Sequence, residues 1–133
     1  MSSDMYREQI LDLYENPLNY GELDPHDFSY EEDNPLCGDV VRIDVRVGED
    51  GRIAEIAWRG DGCAISQASA SLLTEEVKGK TLAEVKAMEG QELLDLLGIK
   101  LSMARVKCAL LSLKVLKAGA YGIPDPEEMR KHL

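Results

Sequence analysis

"VVRIDVRVGEDGRIAEIAWRG", residues 40–60, decides the fold class. Val41, Ile43, Val45 and Val47 alternate with Arg42, Asp44 and Arg46, the period-2 pattern of a half-buried strand. Ala54, Ile56 and Trp58 alternate with Glu55 and Arg59 in a second strand. Asp50-Gly51 between them is a strong hairpin signal, because both residue types tolerate the positive φ that a tight reversal needs. Facing positions in an antiparallel hairpin sum to a constant. A two-residue turn at 50 and 51 pairs 49 with 52 and sets that constant at 101.

Beyond the hairpin the period changes from two to that of a helix. Residues 66–78, "SQASASLLTEEVK", carry small residues on one side and end at Gly79. Thr81 and Glu84 form a capping box for a helix over 82–89, and a shorter one is expected over 91–97, stopped by Gly98. The strongest helix spans 103–118, with Ser102 as N-cap and Gly119 as its stop. Residues 120–133, with two prolines and three acids, read as a surface tail. On the N-terminal side, Tyr6, Ile10, Leu13 and Tyr14 sit at helical spacing in 4–15, with Asp4 as N-cap. Residues 16–36 are dense in Asn, Pro, Gly and Asp and read as an extended surface loop. Nothing suggests a linker or repeat, so the expectation is one domain over 1–133.

The hairpin register also carries chemistry. Cys37, in "NPLCGD" (34–39), and Cys63, in "GDGCAIS" (60–66), sum to 100, which puts both at the open end of the hairpin, about 5 Å apart at Cα if paired. Asp39, two residues after Cys37, points to the same side. Two sulfurs and a carboxylate are three donors for a tetrahedral zinc or iron ion. Cys108 is the obvious fourth, on the last helix in line with Leu111 and Val115, at the rim of the core face. Lys107 beside it favours thiolate over thiol. Two blander readings stay open: three cysteines as buried small hydrophobes, or a structural zinc, although such sites usually come as Cys-x-x-Cys pairs.

The remaining composition mostly excludes. A net charge of −10 offers no basic stripe for nucleic acid or an anionic membrane. No apolar run reaches transmembrane length, and "MSSDMYREQI" lacks the pattern of a signal peptide, so a cytoplasmic protein is expected. "VKGKT" (77–81) fails as a phosphate loop, since Thr74 stands where the first glycine is required. His26 and His132 read as solvated surface residues, and the serines of "SQASAS" as small residues for close helix packing.

"YREQILDLYENPLNYGEL", "NPLCGD", "GDGCAISQASASLLTEEVKGK" and "RVKCALL" together resemble the IscU/NifU N-terminal family of iron–sulfur cluster assembly proteins, most closely its SufU branch, over residues 6 to about 117. The resemblance implies an α+β fold, a small three-stranded antiparallel sheet with helices packed on it. It implies ligands at Cys37, Asp39, Cys63 and Cys108 for a transient [2Fe–2S] cluster or zinc, with the cysteines as persulfide acceptors. It also implies a pyridoxal-phosphate cysteine desulfurase as sulfur donor and acceptor apoproteins as clients. Lys107 stands where IscU proper has histidine, as in the SufU branch. The 108 − 63 = 45 positions between the last two cysteines lack the insertion usual in SufU and give an IscU-like length. Met103 stands where SufU-like chains often have a proline, shortly before the "RVKC" segment. Three functions follow from these residues: a cluster scaffold and sulfur acceptor, a zinc-dependent sulfurtransferase, and a zinc-stabilised interaction domain.

Overall fold

The computed structural model describes the backbone of residues 3–34 and 38–121, with side chains from Arg7 onward. The elements in order are α1 (Ser3–Glu15), β1 (Phe28–Asn34), β2 (Asp39–Val47), β3 (Ile53–Asp61), α2 (Ala64–Glu76), α3 (Leu82–Ala87), α4 (Gly90–Leu97) and α5 (Met103–Tyr121). The three strands form one antiparallel sheet in the order β1-β2-β3. This is the α+β architecture that the resemblance implies.

From Val40↔Asp61 to Arg46↔Glu55 the β2–β3 pairs sum to 101, as the sequence pattern predicts. The turn itself is wider than two residues. Gly51 N–H donates to Gly48 O at 3.0 Å and Gly48 N–H to Arg52 O at 2.8 Å, so the hairpin closes on a sum of 100. A bulge at Ala54 restores 101 and turns Ala54 outward, against its expected place in the alternation.

One face of the sheet is the core. Val41, Ile43 and Val45 of β2 with Ile53, Ile56 and Trp58 of β3 pack on Leu73 and Val77, Val85, Leu93, and Leu111, Val115 and Leu116. α5 is buried on most sides, which its nearly all-round apolar sequence requires. A second cluster joins Ile10 and Leu13 of α1 to Ala68, Leu97 and Ala109. The Thr81–Glu84 capping box is present, and Gly98 ends α4 in the left-handed region at φ 72°. Arg105 N–H donates to Ser102 Oγ at 3.3 Å, the N-cap bond expected for α5.

Two expectations fail together. The loop expected over 16–36 contains β1. Its three acids, Glu31, Glu32 and Asp33, hide the alternation, and no residue of the strand is fully buried. Gly119, expected to stop the last helix, lies inside α5, because a Cβ there would sit 2.6 Å from the Phe28 ring. The glycine is the slot into which β1 packs its aromatic residue. Smaller shifts are that Asp4 lies within α1 rather than capping it, and that α2 starts at Ala64, making Cys63 its N-cap. Ala120 and Tyr121 belong to α5, whereas the rest of the expected tail, with His132, lies outside the described residues.

Between α1 and β1 the chain runs along the free edge of β3. Asn19 O accepts from Trp58 N–H at 3.0 Å, and Gly21 N–H donates to Trp58 O at 2.8 Å. The Trp58 indole donates to Leu18 O at 2.8 Å. Leu18 N–H and the Asn19 amide reach Ser71 and Thr74 of α2. This strap seals one sheet edge.

Candidate metal centre

β2 begins at Asp39, β3 ends at Asp61, and the chain turns through Gly62 and Cys63 directly into α2. α5 crosses the same end and brings Cys108. One donor atom each from Asp39, Cys63 and Cys108 lies within 4.8 Å of the others. Asp39 and Cys108 are both 0% exposed, while Cys63 is half-buried and meets solvent. Cys108 therefore sits deeper than the rim position expected for it. Its Sγ lies 3.6 Å from Ala104 O, one turn back on α5. Lys107 is exposed beside it on α5. Cys37 lies outside the described residues.

The Cys63 backbone is held from both sides. Asp39 Oδ1 accepts from Cys63 N–H at 2.8 Å, which leaves Oδ2 facing the Cys63 sulfur at 3.8 Å. Ser66 Oγ donates to Cys63 O at 3.2 Å, and the Gln67 side-chain amide donates to Gly62 O at 3.1 Å. Gly62, at φ +155°, admits this packing because it has no side chain: a Cβ would lie 2.2 Å from Asp39 Oδ1 and 2.8 Å from Ser66 Oγ. Asp39 occupies the space a Cβ would fill.

Two sulfurs and a carboxylate oxygen suit a tetrahedral thiophilic ion. Sulfurs around zinc stand about 3.8 Å apart, so donors now within 4.8 Å need close by only about 1 Å. The structure brings together Asp39, Cys63 and Cys108, three of the four ligands proposed from the sequence, and adds Ser66 and Gln67 beside them, where the serines of "SQASAS" read as packing. Ser66 is indeed buried, as are Ser69 and Ser71. The signal for the rest was α2 starting at Cys63, which places Ser66 and Gln67 in its first turns, where side chains can fold back over the entering loop.

Comparison with known proteins shows the family and the fold. The family model for the NifU-like N-terminal domain matches residues 5–126. The iron–sulfur cluster assembly scaffold protein IscU of Escherichia coli K12 is 34% identical over 128 residues, covering 94% of this chain and 98% of its own. The zinc-dependent sulfurtransferase SufU of Bacillus subtilis 168 is 38% identical over 133 aligned positions, covering 86% and 88%. A crystal structure of a protein named only as hypothetical superposes with a TM-score of 0.74 at 30% identity, over 90% of this chain and 99% of that one. The N-terminal NifU-like protein of Brucella abortus, 23% identical with a TM-score of 0.72 and coverage of 89% and 93%, shares the fold.

Proposed function

We propose, for a chain that belongs to the NifU-like N-terminal domain family, the function of an iron–sulfur cluster assembly scaffold and sulfur acceptor. The observation that carries this reading is the convergence of Asp39, Cys63 and Cys108 at the open end of the hairpin. Cys37 joins them as fourth ligand through its place in the Cys-Gly-Asp motif. The cargo is a [2Fe–2S] cluster. Three thiolates bind it softly, and one harder carboxylate oxygen leaves a corner that exchanges. Zinc at the same four donors would hold the cysteines together between rounds.

Sulfur reaches the site as a persulfide carried by a donor protein, for which a cysteine desulfurase is the fitting class. A thiolate of this chain attacks the terminal sulfur of the donor's persulfide. The new S–S bond forms as the donor's S–S bond breaks, the electron pair leaves with the donor thiolate, and no external oxidant is consumed. Cys63, the half-buried member, is the accessible acceptor among the described cysteines. Lys107 supports thiolate at Cys108 by its charge. The finished cluster passes to acceptor apoproteins.

A second reading, a zinc-dependent sulfurtransferase, is favoured by Lys107 and by the SufU relative. Metal content and visible absorption of protein purified without oxygen separate the two. An iron–sulfur chromophore supports the scaffold, and zinc alone supports the transferase. Single Cys37→Ser, Cys63→Ser and Cys108→Ser variants, reduced and titrated with zinc, test the ligand set. Each should bind at least tenfold more weakly, and a variant binding like the parent removes that residue. A matching desulfurase should turn over cysteine faster in the presence of the chain, and an unchanged rate over a wide protein range counts against both readings.

A further inference from the structure

Cys63 sits on a two-residue connection, Gly62 and Cys63, between β3 and α2, yet its backbone is fixed by side chains from two elements. Asp39 of β2 takes its N–H, while Ser66 and Gln67 of α2 hold its carbonyl and that of Gly62. Of the two α2 contacts, Ser66 makes the common back-bond to the N-cap carbonyl, which also accepts from Gln67 N–H at 3.2 Å, whereas the Gln67 amide reaches outside the helix. At an N-cap, side chains usually accept from orphan N–H groups. Here the Gln67 amide donates to Gly62 O, ahead of the N-cap, so it does little for the helix and much for the loop. Gln67 is the more telling of the two. Its long amide bends back five residues, from the second turn of the helix to Gly62 O, although it is only half-buried and could extend into water at no loss of hydrogen bonding.

From this geometry we infer that Gln67 is a positioning residue for Cys63: its amide, with Ser66 beside it, clamps the Gly62–Cys63 carbonyls so that the Cys63 sulfur faces Asp39 and Cys108 before any ligand arrives. The inference rests on the proposed use of Cys63 as ligand and sulfur acceptor and deepens it. A ligand that must be ordered on binding costs affinity, because its conformational freedom is lost at that moment; a clamped one has lost it on folding. Gly62, which is conformationally the freest residue type, makes the clamp necessary: the same missing Cβ that admits Asp39 would leave the sulfur's approach unset.

The test uses the full-length, reduced chain carrying Gln67→Met, which keeps length and bulk but cannot donate, and Gln67→Glu, which keeps shape and can only accept when ionised. Gln91→Met is the control, since Gln91 donates to Asp95 on the surface of α4. Two readouts are taken. The first is the alkylation rate of Cys63 in metal-free protein, resolved from Cys37 and Cys108 by peptide mass spectrometry. The second is zinc affinity by competition with a chromophoric chelator. Both Gln67 variants should alkylate Cys63 several-fold faster and bind zinc about five- to tenfold more weakly, the size of one hydrogen bond. The melting temperature should stay within a degree or two, and Gln91→Met should match the parent throughout. Cys63 alkylation that stays at or below the parental rate in Gln67→Met overturns the inference. So does faster alkylation accompanied by a large drop in melting temperature, which marks general loosening. If the parent itself fails to bind zinc, the ligand proposal falls, while the alkylation arm still decides the clamp.

Discussion

β2 buries two aspartates, and they are treated in opposite ways. Asp44 is 2% exposed and accepts from the Ser29 hydroxyl at 2.5 Å, Leu23 N–H at 3.1 Å and Arg42 Nε at 3.1 Å. Burial alone would raise its pKa, but these three hydrogen bonds and the Arg42 charge hold the carboxyl below its usual range. Asp39, five residues earlier and 0% exposed, accepts among the described residues from the Cys63 N–H at 2.8 Å on one oxygen and, with a long 3.8 Å contact, from the Cys63 sulfur on the other. A buried carboxylate is tolerable when its lone pairs are filled, and costly when they are not. Asp44 is therefore an architectural charge, stitching β1, β2 and the Leu23 loop together. Asp39, among the described residues, is held by the Cys63 loop alone and has its second oxygen only in a long contact with sulfur. Burial alone does not separate the two carboxylates; the strength and number of their described donors do.

The largest test of that contrast is on Asp44. Asp44→Ala strips the acceptor from three donors at once and should cost about 2–4 kcal/mol in urea denaturation. A loss below about 1 kcal/mol would erase the distinction between the two sites. The next effect is in acid. Because the folded carboxyl titrates below the unfolded value of about 3.9, its contribution is fully present above that pH and is lost as pH falls through the folded value. The denaturation midpoint of the parent should therefore drop more steeply below about pH 4 than that of Asp44→Asn. Parallel profiles would mean that other carboxyls carry the acid sensitivity.

Asp39→Ala should move stability least, by no more than about 1 kcal/mol in either direction, since the lost hydrogen bond and the relieved desolvation oppose each other. Its effect belongs to the cargo. With the exchangeable oxygen donor gone, a reconstituted cluster should persist longer and pass more slowly to an acceptor apoprotein, read as the decay of visible absorption with and without acceptor. Faster cluster loss with undiminished transfer would remove Asp39 from the release step.

The sequence made half of this contrast visible. Alternation and the hairpin sum of 101 placed Asp39, Cys63 and the open end of β2–β3, because these depend on local period and register alone. The capping box at Thr81 and the stop at Gly98 were legible for the same reason. Asp44 read as a solvent-facing residue opposite Ile43 and Val45. Its burial comes from β1 and the Leu23 loop, and that cover is long-range. β1 was itself illegible, since an acidic edge strand takes its conformation from the partner it pairs with. Gly119 was misread because a helix-stopping glycine and a glycine that makes room for a ring 119 − 28 = 91 positions earlier in the chain look alike until Phe28 is placed against it. At the candidate metal centre, residue types pointed to the sulfur and oxygen groups, whereas the contacts of Ser66 and Gln67 depend on direction, which composition does not encode.

The strap from Leu18 to Gly21 bears on the order in which the molecule opens. Its partners are finished elements: the edge of β3, and Ser71 and Thr74 on α2. α1, in turn, rests on the smaller of the two apolar clusters. Strap and α1 can therefore lift away together while the sheet core stays closed, exposing the β3 edge only for as long as they are off. In native-state hydrogen exchange the Trp58 amide, capped by Asn19 O, should then exchange with a lower opening free energy than the β2 amides deep in the sheet. On this expectation α1 and the strap, residues 3–21, act as a latch on the sheet.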